Sequence, residues 1–146
     1  MDRFLGKFSP YVYAILRIVS GLMFASYGSQ KLFGFPPSSQ PGAPLDAMMT
    51  LAGVIELVGG LMIAFGFLTS IAAFIASGQM AVAYFMAHAS KGFLPIQNGG
   101  VPAVLFCFLF LYIAARGSGV WSIDSLIGRA GGRGGHARED NLPANG

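Results

Sequence analysis

Cysteine is all but absent. Cys107 stands alone in an apolar run, so the chain closes no internal disulfide and lacks the paired thiols of a membrane thiol relay. Histidine is nearly as scarce, with His88 and His136 only. Because His136 falls in a Gly-rich polar stretch, no opposed pair is left for bis-histidine haem ligation. No metal or haem site is expected. Charge is the third shortage: Asp, Glu, Lys and Arg make up 10% of the 146 residues, against 54% hydrophobic. No Gly-rich phosphate loop stands between a strand and a helix, which argues against nucleotide chemistry of the Rossmann or P-loop kind. The net charge of +3 comes from a few residues near helix ends. That distribution is a membrane-orientation signal rather than a nucleic-acid footprint, and no nucleic-acid partner is expected.

What is present in excess is apolar length. A mean hydropathy of +0.63 lies outside the range of soluble domains, and the apolar content matches four spans of about 20 residues each. Arg3 and Lys7 ahead of an apolar stretch imitate a secretory signal. The stretch is too long for a signal h-region, however, and contains Arg17, so it reads as a retained first span. Ser9 and Pro10 mark the N-cap and first helical position of a span over 11–33. Residues 34–45, with four prolines and two serines, break the helix and form a loop. Asp46 then caps a span over 47–65, and the short turn 66–69 makes an antiparallel hairpin with a span over 70–89. After a second loop comes a shorter span over 101–115, with Trp121 as an interfacial anchor. The expected fold is all-α, an integral membrane four-helix bundle of antiparallel up-down topology. Residues 1–10 form a cytoplasmic N-terminal segment and 11–128 the membrane domain. A brief surface helix over 123–127 precedes a disordered cytoplasmic tail over 129–146. Arg3, Lys7, Arg116, Arg129, Arg133 and Arg138 gather at one end, which places both termini in the cytoplasm.

An ionisable group inside a span costs roughly 2.5–3.5 kcal/mol on insertion scales, so Arg17 and Glu56 demand a reason. At 100° per residue Arg17, Gly21, Phe24, Gly28 and Lys31 share one face of the first span, and Ala52, Glu56, Gly59 and Gly60 share one face of the second. Both faces are lined with small residues and point into the bundle. From the 1.5 Å rise per residue the two ionisable groups differ in depth by about 6 Å, which long side chains bridge. Two readings stand side by side: an Arg17–Glu56 ion pair that only fixes packing, or a proton-carrying or ligand-binding carboxylate tuned by Arg17. On the third span Ser77, Ala81, Tyr84 and His88 share a face. It brings His88 to the level of Lys31, where the loop residues Asn98 and Asp46 add polar groups. Gln79 falls opposite His88 around its helix and Gln30 lies off the Arg17 face, so neither is assigned to the site and the role of each stays open. Seven methionines and thirteen phenylalanines read as packing and lipid-facing bulk.

These residues carry a resemblance. The run Tyr27-Gly28-Ser29-Gln30-Lys31-Leu32-Phe33-Gly34, then Gly53-Val54-Ile55-Glu56-Leu57-Val58-Gly59-Gly60, are followed by Met80, Ala83, His88, Pro95 and Asn98-Gly99-Gly100. Gly117-Ser118-Gly119 and Ser122-Ile123-Asp124 close the pattern. In order and spacing the whole resembles the DoxX family of small four-span membrane proteins, from about residue 16 to 124. Two positions depart from it: many relatives carry His in place of Tyr27 and an acidic residue in place of Val101. The resemblance implies quinone-linked respiratory or detoxification chemistry.

The expectation that follows is a bacterial inner-membrane subunit that binds quinone or serves a quinone-linked oxidoreductase, with electrons supplied by a partner. Glu56 and His88 are the candidate catalytic groups, and Arg17, Lys31, Tyr84 and Asn98 the candidate ligand-binding ones. Quinone is the expected cofactor; membrane lipid, a redox partner protein and further copies of the chain are the expected partners. The competing expectation is a small-solute transporter or channel, or a membrane scaffold, in which the same polar interior passes a solute or only locks the bundle.

Overall fold

The first half of the fold is set by glycines that let two helix backbones touch. In the computed structural model, which describes residues 2–39, 42 and 44–136, a short α1 (Asp2–Gly6) leads into α2 (Ser9–Phe33). The next long helix, α3 (Ala47–Phe65), runs antiparallel to it. A Cβ added at Gly21 would lie 2.7 Å from the Gly60 carbonyl oxygen, and one added at Gly28 would lie 2.6 Å from that of Gly53. Without side chains there, α2 and α3 pack backbone to backbone, the dispersion-driven contact that replaces the hydrophobic effect in a bilayer. Valine at position 28 should therefore cost about 1–3 kcal/mol or more through overpacking. Gly78→Ala is the control, because a Cβ there meets nothing within 4 Å. Thermal unfolding in detergent should show a lowered midpoint for Gly28→Val and none for Gly78→Ala.

The second half repeats the close approach with alanine. The hairpin partner of α3 is α4 (Thr69–Ala87), followed by a single 3-10 turn (Ala89–Lys91), a one-turn α5 (Pro95–Asn98) and α6 (Val101–Arg116). Ala72, Ala73, Ala76 and Ala103 are buried, and the Ser77 hydroxyl donates to the Cys107 carbonyl at 2.8 Å, tying α4 to α6. The seam between α2 and α6 is different, being filled by rings rather than narrowed by small residues. Phe24 meets Phe110 edge-on at 4.7 Å, Phe106 stacks on Phe110 at 5.4 Å, and Tyr13 meets Tyr112 at 6.0 Å. This wider seam leaves room for a cavity near one end.

The molecule is all-α, a membrane helical bundle of antiparallel up-down topology, with no strand among the described residues. Three helices (Ser9–Phe33, Ala47–Phe65 and Thr69–Lys91) are long and apolar enough to cross a bilayer, and Val101–Arg116 is a shorter apolar one. Asp46 caps α3 as expected, its carboxylate accepting from the Met49 amide at 2.8 Å. That role takes it out of the polar cluster. At α2 the cap is Phe8, with Ser9 and Pro10 already inside the helix. Trp121 lies exposed at the end that bears α1, its ring 5.3 Å from that of Tyr11.

The terminal helix α7 (Ile123–His136) is longer than the brief 123–127 helix that the apolar residues suggest. Its continuation replaces the disorder expected over residues 129–136, while residues 137–146 of that tail lie outside the described residues. The start of α7 is fastened to the turn between α3 and α4. Asp124 accepts from the Leu68 amide at 3.0 Å and the Thr69 amide at 3.2 Å, and its own amide donates to the Gly66 carbonyl at 2.9 Å. Asp124 thus satisfies the free N–H groups at the start of α4, which has no side-chain cap of its own at Leu68.

Candidate functional site

Arg17 and Glu56, the two ionisable residues read as candidates for one pair, belong to opposite ends of the bundle. The register that sets Gly28 against the Glu56–Leu57 peptide brings Glu56 level with about residue 27, some ten residues or about 15 Å of helix from Arg17. The estimate of about 6 Å fails because it measures both helices from their own starts, whereas the glycine contacts fix how far each slides past the other. Arg17 instead lies level with the end of α3. Fully buried, it donates through Nη1 to the carbonyls of Ile63 at 2.7 Å and Ala64 at 2.8 Å. Through Nη2 it reaches those of Val120 at 3.3 Å and Trp121 at 2.7 Å. A guanidinium at a helix C-terminus meets carbonyls that the helix leaves unpaired. Its planar fork lets one side chain serve two segments. Arg17 is thus placed as a fastener of the Gly66 and Trp121 turns.

Glu56 finds its cation in Lys31. The Lys31 ammonium pairs with Glu56 Oε1, and the Gln79 amide donates to the same oxygen at 2.9 Å and to the Ala52 carbonyl at 3.3 Å. Side chains on a helix lean toward its N-terminus, which carries Lys31 back down α2 to the level of Glu56. Glu56 itself sits in a π-helical turn (Ile55–Gly59), a local widening of α3 of the kind enriched at functional sites. The carboxylate is 1% exposed, yet its second oxygen, Oε2, has no hydrogen-bond partner among the described residues, nor has Gln79 Oε1. An ionised carboxylate with a bare oxygen in low dielectric is costly unless something donates to it.

Beside this pair lies a cavity of about 270 Å³ between α2, α4 and α6. Lys31, Glu56 and His88 give it polar groups, and Phe24, Tyr27, Met80 and Phe106 form aromatic and thioether walls. Of the six candidate residues, these three are brought together around one space. Tyr84 and Asn98 stand behind His88 and do not line the cavity. The Asn98 carbonyl lies 3.1 Å from His88 Nδ1, and its amide donates to the Tyr84 hydroxyl at 3.1 Å and the Gly92 carbonyl at 3.0 Å. With the Tyr84 ring stacked 6.4 Å from the imidazole, the two set the orientation of His88. Gln79 and Tyr27 were not assigned from the sequence. Gln79 belongs to the site through α3, which packs on the side of α4 away from His88. A wheel centred on His88 therefore misses it.

Comparisons with known proteins agree with this architecture. Residues 12–89 match the family model described as DoxX. The chain is 46% identical over 126 residues to an uncharacterized protein of Haemophilus influenzae (strain ATCC 51907 / DSM 11121 / KW20 / Rd), covering 83% of this chain and 94% of that one. It is 30% identical over 125 residues to the inner membrane protein YqjF of Escherichia coli (strain K12), covering 79% and 91%. No solved structure matches it. With more than half of its length on the family model and both relatives matched nearly end to end, the chain belongs to the DoxX family of membrane proteins.

Proposed function

We propose that this protein is a four-span bacterial inner-membrane subunit that takes a quinone-type ring into the cavity beside Glu56 and serves a quinone-linked oxidoreductase. The observation that carries the reading is the bare Oε2 of Glu56 on a residue that lines a cavity with aromatic walls. Ligand pockets have this make-up: apolar surroundings with a few fixed polar groups. At about 270 Å³ the space suits a single ring, leaving any isoprenoid tail among lipids. Tyr27, 45% exposed with its ring 6.1 Å from that of Phe106, forms the rim on that side. A bound quinone supplies two-electron, two-proton chemistry.

The chain's own part is to orient and to handle protons. Phe24 and Phe106, in contact with each other at 5.9 Å and tilted by 43°, form one aromatic wall for a flat ring to pack on, while Glu56, paired with Lys31, is the carboxylate that takes a proton. His88, fixed by Asn98 and Tyr84, is the second proton-handling group. Electrons come from a partner protein in this reading, and the end bearing α1 and the start of α7 faces the cytoplasm, a reading supported by its Lys and Arg residues.

A photoreactive azidoquinone tests the assignment. Its label should fall on peptides containing Tyr27, Met80 or Phe106 and be competed away by unlabelled quinone; label confined to the region of residues 117–126 would contradict it. The transporter reading is separated by reconstitution into proteoliposomes, where no Glu56-dependent flux of small solutes is expected.

A further inference from the structure

The polarity of the free groups around the cavity says which redox form of a ring fits. His88 Nδ1 lies 3.1 Å from the Asn98 backbone carbonyl. A carbonyl only accepts, so Nδ1 carries the proton, and in the neutral imidazole Nε2 is an acceptor. The tautomer is held firmly, because Asn98 is 5% exposed and is itself tied at both ends of its amide. Its Nδ2 donates to Tyr84 and Gly92, and its Oδ1 accepts from the Gly100 amide at 2.8 Å. Glu56, which lines the same cavity, pairs through Oε1 with Lys31, and the unpartnered Oε2 of such a carboxylate only accepts.

We infer that the cavity selects a ring carrying two hydroxyl donors, a hydroquinone, over the oxidised quinone, whose two carbonyls only accept. This rests on the reading of the cavity as a quinone-type site and adds to it the form that is bound. A quinone carbonyl set against Glu56 Oε2 or His88 Nε2 places lone pair against lone pair. A hydroxyl in the same place donates a charge-assisted hydrogen bond to the carboxylate and a neutral one to the imidazole. The Tyr27 hydroxyl is indifferent, since it donates or accepts. Lys31 is the wall's cationic donor; one of its three N–H groups goes to Glu56 Oε1, and the others serve a hydroxyl oxygen as well as a carbonyl one, since both accept. The two acceptors therefore decide. Sites built around buried hydrogen-bonding groups reject analogues that leave those groups unpaired far more strongly than apolar pockets discriminate by shape.

The test is made on the full-length protein in lipid nanodiscs under nitrogen, by equilibrium dialysis of three tail-less probes: 1,4-hydroquinone, 1,4-benzoquinone and 1,4-dimethoxybenzene. Ala103→Phe, which fills the cavity from the α6 wall, gives the lipid-partition background. Hydroquinone is expected to bind at least tenfold more tightly than either of the others. The ratio should fall below threefold in Glu56→Gln, where an amide that also donates replaces the carboxylate. His88→Phe leaves the Lys31 pair intact and should lower the ratio as well, so the result does not hang on one variant folding. Specific binding with benzoquinone equal or tighter, or a preference unchanged in both variants, overturns the selectivity and leaves the quinone-type cavity standing. No probe bound above the Ala103→Phe background overturns both.

Discussion

Lys31→Met is expected to destabilise the protein by about 3–5 kcal/mol, because it leaves the Glu56 carboxylate charged, buried and without its cation. The double variant Lys31→Met with Glu56→Leu should recover most of that loss. Replacing a buried ion pair by apolar groups of similar size is often neutral or stabilising, whereas breaking it is not. The contrast separates structure from function. If the pair only fixes packing, the double variant is stable and keeps whatever activity the wild type has. If Glu56 serves a ligand, the double variant is stable and inactive. Thermal unfolding in detergent, set beside quinone retention for the wild type, Lys31→Met, Glu56→Leu and the double variant, gives both readouts. Its coupling energy isolates the pair from each residue's other contacts. Equal stability of the single and double variants would show that Glu56 does not depend on Lys31.

Arg17→Met should be at least as damaging, by about 3–5 kcal/mol or more, and for a different reason. Four backbone carbonyls on two segments, Ile63 and Ala64 at the end of α3 and Val120 and Trp121 in the turn before α7, lose the guanidinium together. Each was a hydrogen bond to a charged group, worth roughly 1.5–3 kcal/mol. Trp121 also holds a left-handed backbone, φ 54°, which a non-glycine residue keeps only when its surroundings enforce it. Without the Arg17 bond to its carbonyl that enforcement weakens. Arg17→Lys should recover only part of the loss, since one ammonium cannot fork across both turns. The readout is the yield of monodisperse protein after mild heating, with proteolysis near residue 120 as the local probe. A stable, intact Arg17→Met protein would contradict the fastener role. Ligand retention in whatever fraction stays folded is expected to be normal, as Arg17 does not line the cavity.

How much of this was legible in the sequence differs residue by residue. The stripe Arg17, Gly21, Phe24 and Gly28 could be read because a 3.6 period and small side chains report a buried face directly, and all four are buried. Glu56 pointing inward followed from Gly59 and Gly60 on its face in the same way. What a helical wheel does not contain is the axial register between helices. That register is fixed by which glycine meets which, and it assigned Glu56 to Lys31 and Arg17 to carbonyls. A second loss came from the backbone itself. The π turn over Ile55–Gly59 has no residue signature, yet it lies where Glu56 and Gln79 meet. Loop chemistry was a third: that Asn98 and Tyr84 would orient His88 rather than line the cavity depends on how the short α5 folds back.

The most direct measurement is made on protein as it comes from the cell. Tagged wild type and Ala103→Phe are purified from native membranes in mild detergent, and the lipid extract of each is quantified for quinones and quinols by mass spectrometry relative to phospholipid. Ala103 is 8% exposed and lines the cavity, so a phenyl ring there occupies the space without altering Lys31, Glu56 or His88. A quinone-type molecule retained near one per chain by the wild type and lost from Ala103→Phe is the predicted result. Equal amounts in both, at the level expected from bulk membrane, would contradict the cavity as a quinone-type site.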